Sequence, residues 1–350
     1  DGVQTENTAD IDGTQYATLA EAVAQAEEGA TIRLLRDVEL DASGLVNGQG
    51  ALTLSKDLTL DGSGHTIRAK AGTFSVSGDN GTGPSLLNLQ DGAEVTLRDV
   101  TLDGGSAAKH GLNIYHAGMV TLENVEISNC RWYALVVNGT ELSVDGLTTS
   151  GNQWGVNIDR GSRVTFANAA IAEGDSIVFE GQDASGSLTV ESGSYQNIKT
   201  QGGSTGGTIA INGGTVGSVV NDTAAEITIS GGTVTGQVAN SGSGSISVTG
   251  GSFATAELED FIEHIKTCEN CREELEIHYM VDVGLKKLDE ADGTYDIVGD
   301  LKRKVAESYR SLRHISMFQI TTYAVSTLTG MALIVMILLQ LRIWNTFGFL

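Results

Sequence analysis

The feature that most constrains this chain is a short apolar pattern that recurs about every twenty-two residues between residues 58 and 253. Each unit alternates apolar and polar residues, as in "VTLR" at residue 95, "VTLE" at residue 120 and "ITIS" at residue 227. Apolar residues two apart place their side chains on one face of a β-strand. The repeat therefore predicts stacked strands around a shared core. The units begin at residues 58, 95, 120, 142, 164, 188, 209, 227 and 246.

Several units contain a second short strand upstream, such as "LLNL" at residue 86 and "VNI" at residue 156, and Gly, Asn and Asp turns join the strands. Several strands per unit predict that residues 31–254 form a parallel β-helix with one coil per unit. Roughly nine coils stacked ~4.8 Å apart would make a rod about 40 Å long. Repeated glycine pairs predict turns with positive φ. These pairs are Gly213-Gly214, Gly231-Gly232 and Gly250-Gly251.

The open end of such a rod needs a cap, and residues 1–30 contain a segment suited to this role. In "TLAEAVAQAEEG", Thr18 and Glu21 have the spacing of a capping box, and Gly29 is expected to end the helix. An apolar stripe would face the first coil. The stripe consists of Leu19, Ala22, Val23 and Ala26.

The stretch "YATLAEAVAQAEEGATIRLLRDVEL" resembles the N-terminal cap of the pectate-lyase-like right-handed β-helix proteins common on gut bacterial surfaces. The resemblance covers residues 15–254 and implies a mainly β fold, a right-handed parallel β-helix with an N-terminal capping helix. Members include polysaccharide lyases and glycoside hydrolases, but the polygalacturonase-type signature motifs are absent here. We therefore predict no catalytic residues. Catalysis would require scattered residues to meet on one face, namely Asp99, Asp103, Asp145, Asp159 and Arg131.

Other chemically active residues of the repeat are predicted to have structural roles. His110 and His116 have no carboxylate at a sequence spacing that would indicate a catalytic pair. Cys130, Trp132 and Trp154 are expected to pack at the corners of coils. Three cysteines in the whole chain argue against a disulfide scaffold.

The charge of the chain excludes one class of partner. The net charge is −23, of which residues 1–254 contribute −18 and residues 255–350 contribute −5. Binding to a phosphate backbone is therefore not expected, so we predict no nucleic-acid partner. The chain begins at Asp1 without an initiator Met or a signal peptide, and we expect the natural N-terminus to lie upstream.

A different pattern follows the repeat in residues 255–291, which are predicted to be helical. In "EHIKTCENC", His264 and Cys268 are four residues apart, and Cys268 and Cys271 form a C-x-x-C pair. This motif resembles the zinc-binding anti-sigma factor family over residues 256–345. The resemblance implies zinc bound by His264, Cys268 and Cys271, with a sigma factor as partner. The family takes a further ligand from an upstream helix, which the β-repeat replaces here, so His278 is a substitute candidate. The alternative is a helical hairpin in which Cys268 and Cys271 are thiols that bind no metal.

The segment 317–341 contains 25 residues without a charge, enough for a single transmembrane helix of ~37 Å at 1.5 Å per residue. The linker 292–316 carries five basic residues near the span, whereas the tail 342–350 carries only Arg342. This bias predicts a cytoplasmic N-terminal side. The resemblance of the rod, in contrast, favours the cell surface, so the orientation stays open.

The sequence thus favours a membrane-anchored bacterial protein whose rod serves in adhesion or glycan binding without catalysis. Its expected partners are a lipid bilayer and a glycan or host-surface ligand. One alternative is a membrane-bound anti-sigma factor-type regulator, and another is a polysaccharide lyase or glycoside hydrolase. The abrupt change near residue 255 also fits a recombined junction.

Overall fold

The structure is a computed structural model that describes residues 7–74, 81–180, 185–202 and 206–253, together with residues 268, 273, 299, 302 and 303. The chain divides into two compact units, Asp1–Ala254 and Thr255–Leu350. All of the continuously described ranges lie in the first unit.

The first unit is built almost entirely from short strands. In the described residues the helix is α1 (Leu19–Gln25). The strands are β1 (Ala9–Ile11), β2 (Thr14–Tyr16), β3 (Ala30–Leu34), β4 (Val38–Leu40), β5 (Gly50–Leu54), β6 (Leu58–Asp61), β7 (Thr66–Ala69), β8 (Ser85–Leu89), β9 (Val95–Asp103), β10 (Leu112–Tyr115), β11 (Met119–Ser128), β12 (Tyr133–Asn138), β13 (Glu141–Ser150), β14 (Trp154–Asp159), β15 (Arg163–Ala167), β16 (Ala169–Ile171), β17 (Ile177–Phe179), β18 (Ser187–Val190), β19 (Gly193–Thr200), β20 (Thr208–Ile211), β21 (Thr215–Asn221), β22 (Glu226–Ile229), β23 (Thr233–Val234), β24 (Val238–Asn240), β25 (Ser245–Val248) and β26 (Ser252–Phe253).

These strands form three parallel columns, here called sheets A, B and C. Sheet A stacks β3, β6, the first halves of β9, β11 and β13, and then β15, β18, β20, β22 and β25. Sheet B stacks β4, β7, the second halves of β9, β11 and β13, then β16, the first halves of β19 and β21, and finally β23 and β26. Sheet C stacks β5, β8, β10, β12, β14, β17, the second halves of β19 and β21, and β24. The predicted parallel β-helix is therefore confirmed.

The strand register also confirms the repeat. In sheet A the nine predicted starting residues follow one another as Cα partners, from Leu58 and Val95 through to Ile246. The structure adds one strand ahead of these nine, because Ala30 of β3 pairs with Leu58 of β6. The coils therefore begin directly after the N-terminal helix.

Inward-facing side chains of sheet A form a continuous apolar column. Each side chain of this column is at most 1 % exposed to solvent. Burial of one such side chain contributes roughly 1.5–3 kcal/mol, and the partners above and below supply that burial. The column consists of Ile32, Leu60, Leu97, Leu122, Val144, Phe166, Val190, Ile211 and Ile229.

The N-terminal end is covered by an antiparallel pair and a helix. Strand β1 pairs antiparallel with both β2 and β3. At the start of α1, the backbone N–H of Glu21 donates to the Thr18 hydroxyl, and the backbone N–H of Thr18 donates to the Glu21 carboxylate. The predicted capping box is confirmed.

The apolar stripe of α1 also faces the core, since Leu19, Ala22 and Ala26 are at most 3 % exposed and Val23 packs partly buried against it. The predicted end of the helix is wrong. Helix α1 ends at Gln25 because Ala26 leaves the helical conformation with ψ 133°. Gly29, with φ +79°, lies in the turn that leads into β3.

The corner between sheets A and B is shaped by a column of left-handed residues. Asp99, Asn124, Gly146 and Asn168 have φ between 49° and 82°. Asn, Asp and Gly tolerate this conformation best, and the amide of Asn124 donates to the Asp99 carboxylate at 2.7 Å. Strands β9, β11 and β13 therefore bend from sheet A into sheet B, and the register skips only the corner residue of each strand.

The glycine pairs near the C-terminal coils meet two different requirements. The second residue of each pair has positive φ, as predicted, with +84° at Gly214, +76° at Gly232 and +91° at Gly251. The first residue allows a close approach between coils, because a Cβ at Gly213 would lie 2.2 Å from the Glu191 carbonyl oxygen. Each pair thus needs two glycines for different reasons.

The remaining predicted segments fall outside the described residues. This holds for the transmembrane segment 317–341 and the tail 342–350, and for all but isolated positions of segments 255–291 and 292–316. Among the residues that the structure describes, no helix has the length and apolar character needed to cross a bilayer.

Candidate functional site

The acidic residues considered for catalysis lie at different corners of the rod. Asp99 and Asp145 lie at the corner between sheets A and B, where each accepts a hydrogen bond from an Asn side chain. Asp103 lies at the end of β9 in sheet B, and its carboxylate pairs with Arg68 at 2.8 Å. Asp159 ends β14 in sheet C. These four carboxylates therefore do not share one face.

Arg131, the basic residue of the same set, lies just before β12. Its guanidinium donates to the backbone carbonyl of Thr82 at 2.6 Å. This contact ties the loop before β8 to the start of β12. The structure thus gives Arg131 a positioning contact within the fold.

The two histidines have local contacts. His110 is 6 % exposed, and its Nδ1 lies 3.3 Å from the carbonyl oxygen of Tyr133. Burial lowers the pKa of His110 to about 3, which keeps the ring neutral. His116 packs edge to face against Tyr115 with ring centroids 4.4 Å apart.

The predicted zinc ligands lie almost wholly outside the described residues. His264 and Cys271 are not described, and neither is His278. Cys268 is described and is partly buried. Within the described part of the chain, no group of three or more His, Cys, Asp or Glu side chains is arranged to hold a metal ion. The zinc assignment therefore stays a prediction.

An aromatic cluster lies at one edge of sheet C. Trp132 precedes β12, and Tyr133 at the start of β12 is the register partner of Trp154 in β14. The rings of Trp132 and Trp154 meet edge to face with centroids 4.2 Å apart, and those of Tyr133 and Trp154 lie 5.2 Å apart. All three side chains are only partly buried, whereas the nearby Cys130 is buried. The tryptophans pack against each other, as expected for corner residues, and also leave ring surface exposed.

A hydrogen-bonded polar group lies beside these rings. The side-chain amide of Asn157 donates to the Glu180 carboxyl at 2.9 Å. Asn157 also lies near enough to Tyr133 to oppose the rise in the pKa of its phenol. The polar group therefore neighbours one ring of the aromatic cluster.

Two carboxyl groups occupy neighbouring coils on this surface. Strands β14 and β17 pair in register through Ile158 and Phe179, so the residues that follow them, Asp159 and Glu180, lie one coil apart. The backbone N–H of Glu180 donates to the Ile158 carbonyl at 2.8 Å, which fixes this arrangement. Asp159 is 8 % exposed, and Glu180 is partly exposed.

This environment disfavours ionisation of Glu180 and of the Tyr133 phenol. Burial raises the pKa of Glu180, the hydrogen bond from Asn157 opposes the rise, and the negative charge of Asp159 adds to it. Burial, together with the charge of Glu180, raises the pKa of Tyr133 to about 12. The surface thus holds a carboxyl group that retains its proton to a higher pH than an ordinary glutamate.

We call this surface the sheet C site. It extends from the aromatic rings at the starts of β12 and β14 to the polar groups near the ends of β14 and β17, and it is defined by Trp132, Tyr133, Trp154, Asn157, Asp159 and Glu180.

Two basic side chains on the strands or turns next to β14 and β17 have contacts of their own. Lys199 forms an ion pair with Asp175 at 2.7 Å. The guanidinium of Arg160 lies over the ring of Tyr115, 5.7 Å from its centroid. The edges of the site therefore combine aromatic and paired charged groups.

Two open depressions lie elsewhere, each with a volume of about 490 Å³. One lies at the corner of sheets A and B and includes Asp99, Asn124 and Glu126. The other lies on sheet A and includes Glu28, Asp57 and Met119. The described residues that line them include no aromatic ring, so the sheet C site is the stronger candidate for ligand binding.

Tyr133, Asn157 and Glu180 were not predicted as site residues from the sequence. A signal for them exists, since "VNID" at residue 156 and "IVFE" at residue 177 align in sheet C and place Asp159 beside Glu180. This alignment becomes visible only when the sheet C strands of successive coils are placed in register.

Comparison with known proteins agrees with this architecture. A family model described as a right-handed β-helix region matches residues 85–261. No curated protein and no solved structure gave a significant match to the chain.

Proposed function

The chain belongs to the right-handed β-helix family, and we propose that its rod binds glycans through the sheet C site. The fold itself supports a surface or polysaccharide-related protein. The finer assignment depends on the chemistry of this one surface.

The observation that carries the proposal is a cluster of partly exposed aromatic rings on the same strands as hydrogen-bonding groups. Sugars present C–H faces that pack on aromatic rings, here those of Trp132, Tyr133 and Trp154. Sugars also present hydroxyl groups, which need donors and acceptors such as Asn157 and Glu180. Apolar surface with a few well-placed polar groups is typical of small-molecule sites.

The rigidity of the fold favours binding at this surface. The strands that carry the site are paired above and below, and their side chains are held by local hydrogen bonds. A preformed surface loses little conformational entropy when a ligand binds. A glycan can therefore bind without rearrangement of the sheet.

We propose that the segment 317–341 anchors this rod in a lipid bilayer, which would make the protein an adhesin-like or glycan-binding rod. Zinc bound by His264, Cys268 and Cys271 is part of the alternative proposal, an anti-sigma factor-type regulator with a sigma factor as partner. The contacts that favour glycan binding all lie in the first unit and are independent of that alternative.

Glycan binding should change the fluorescence of the two tryptophans in the site. The chain contains three tryptophans, and Trp344→Phe leaves only Trp132 and Trp154 as reporters. Because a bound sugar would shield the indole rings from water, we expect a saturable shift of emission to shorter wavelength. The measurement is a titration of this variant with a panel of neutral, acidic and amino-sugar oligosaccharides. The proposal would be refuted if no oligosaccharide of the panel produced a saturable emission shift or a measurable heat of binding.

Hydrolysis of the bound glycan is a second candidate, favoured by the acidic pair of the site. Glu180, whose pKa is raised by burial, can donate its proton to a glycosidic oxygen, and Asp159 on the neighbouring coil supplies the second carboxyl group. If this reaction occurs, Glu180→Gln should lower the rate by roughly 10²-fold or more. The measurement is the release of reducing ends from each oligosaccharide that binds. Binding without any cleavage would remove this candidate and leave the binding proposal intact.

A further inference from the structure

The loop before β5 presents an Asn-Gly pair in an exposed turn. Asn47 and Gly48 are the central residues of this turn, in which the backbone N–H of Gln49 donates to the Val46 carbonyl at 3.1 Å. Asn47 and Gly48 are both exposed, and Gly48 has φ +87°. Apart from its chain neighbours, a Cβ at Gly48 would meet no atom within 4 Å. Water therefore has open access to the peptide bond between the two residues.

An Asn side chain that precedes glycine can react with its own backbone. After the Gly48 N–H gives its proton to hydroxide, the nitrogen attacks Cγ of Asn47 and an N–Cγ bond forms. The bond between Cγ and the side-chain nitrogen then breaks, and ammonia leaves with a proton from water. Water opens the resulting succinimide ring at either carbonyl, which yields aspartate or isoaspartate. Glycine favours the attack because it has no Cβ to obstruct the approach.

The Gly48 N–H is available for this reaction. Within the described part of the chain it donates to no acceptor, whereas the Gly48 carbonyl accepts the Asn88 side-chain amide at 3.0 Å. The turn is otherwise closed by two contacts between Val46 and Gln49, one of which joins the Val46 N–H to the Gln49 side chain at 2.9 Å. Because opening the turn breaks few hydrogen bonds, it should occur without unfolding of a coil.

A cation lies beside the amide that would react. The ammonium group of Lys109, just before β10, donates to Oδ1 of Asn47 at 3.1 Å. When the backbone nitrogen attacks Cγ, negative charge develops on this oxygen, and a charged donor already in place stabilises it. From this geometry we propose that Asn47 is a site of spontaneous deamidation and that Lys109 accelerates the reaction by stabilising the developing oxyanion.

Two other Asn-Gly pairs in the described ranges are held by hydrogen bonds between coils. Asn138 ends β12, and the N–H of the next glycine donates to the Asp159 carbonyl at 3.4 Å. The side-chain amide of Asn212 donates to the Glu191 carboxylate at 3.0 Å, and the N–H that follows donates to the Val190 carbonyl at 3.3 Å. In both pairs the attacking nitrogen is already engaged, so these pairs are matched controls for Asn47.

The test is incubation of the full chain in mildly alkaline buffer, with samples taken at intervals, digested and mapped by mass spectrometry. We expect Asn47 to convert to aspartate and isoaspartate about tenfold faster than Asn138 or Asn212, because these two react only after their coils open. In denaturant the difference should vanish, since glycine follows each residue. Asn80, which also precedes glycine, lies outside the described residues and is left out of the comparison. Equal rates in the folded chain, or slower conversion of Asn47, would overturn the inference.

Variants of Lys109 test the role of the cation. Lys109→Gln removes the charge and should slow conversion of Asn47 about threefold, a modest factor because exposed charged contacts are weak. Lys109→Arg keeps a cationic donor and should retain most of the rate. Conversion of Asn212 should be unchanged in both variants, which checks that the fold is not loosened. A rate in Lys109→Gln equal to or above that of the wild type would overturn the assigned role of Lys109.

Discussion

Phe166→Ala is expected to lower the free energy of unfolding of the rod by about 3–5 kcal/mol. Phe166 is 0 % exposed and lies in the inward column of sheet A between Val144 and Val190. Its ring also meets that of Tyr195 edge to face, with centroids 6.3 Å apart. Loss of the Phe166 ring would leave a cavity lined by side chains on both neighbouring coils. Because each coil contacts mainly its neighbours, this cavity would weaken both interfaces of one coil.

The matched control is Thr165→Ala, one residue earlier in the same strand. Thr165 is exposed on the outer face of sheet A, so its truncation should change stability by no more than about 0.5 kcal/mol. Denaturant unfolding followed by far-ultraviolet circular dichroism measures both variants. Similar unfolding midpoints for the two variants would mean that residue 166 does not face a packed interior.

Trp154→Ala is expected to weaken glycan binding by about 2 kcal/mol or more, which is roughly thirtyfold in Kd. Trp154 contacts both Trp132 and Tyr133, so its removal deletes the central ring of the cluster. Aromatic residues at the centre of an interface typically carry a large share of its binding free energy. The measurement is calorimetric titration with the tightest oligosaccharide of the panel.

Two controls distinguish this effect from damage to the fold. Trp154→Phe keeps an aromatic ring at the position and should retain part of the affinity. Val46→Ala truncates an apolar side chain that is 61 % exposed and should change neither affinity nor stability. A Trp154→Ala variant that unfolds like the wild type and binds with unchanged affinity would contradict the proposed site.

The coils of the rod were predictable because their signal is local and repeated. Alternation over four residues sets which side chains face inward, and recurrence sets the order of stacking. The nine predicted positions therefore agree with the sheet A register. The strand at Ala30–Leu34 was not aligned with them, because it follows the capping helix after only four residues and was assigned to the cap segment.

The end of the capping helix shows a limit of local rules. Gly29 has the positive φ expected of a helix-ending glycine, but it lies in the next turn. Ala26 leaves the helical conformation earlier, and its buried side chain packs against the core. Tertiary packing therefore decided the boundary, which the sequence pattern alone did not predict.

The candidate site was harder to predict because its residues come from different parts of successive coils. Tyr133 begins its strand, whereas Asp159 ends β14 and Glu180 directly follows β17. Coil lengths vary, so equal spacing in sequence does not give equal position on a face. The set built from Asp99, Asp103 and Asp145 failed for this reason, since these residues lie at other corners.

The most direct test of the account is a crystal structure of the chain with the tightest oligosaccharide of the panel bound. We predict a sugar ring packed on Trp154, with polar groups of the glycan within hydrogen-bond distance of Asn157 and Asp159. A glycan bound instead in the depression of sheet A, or at the corner beside Asn124, would contradict the assignment of function to sheet C.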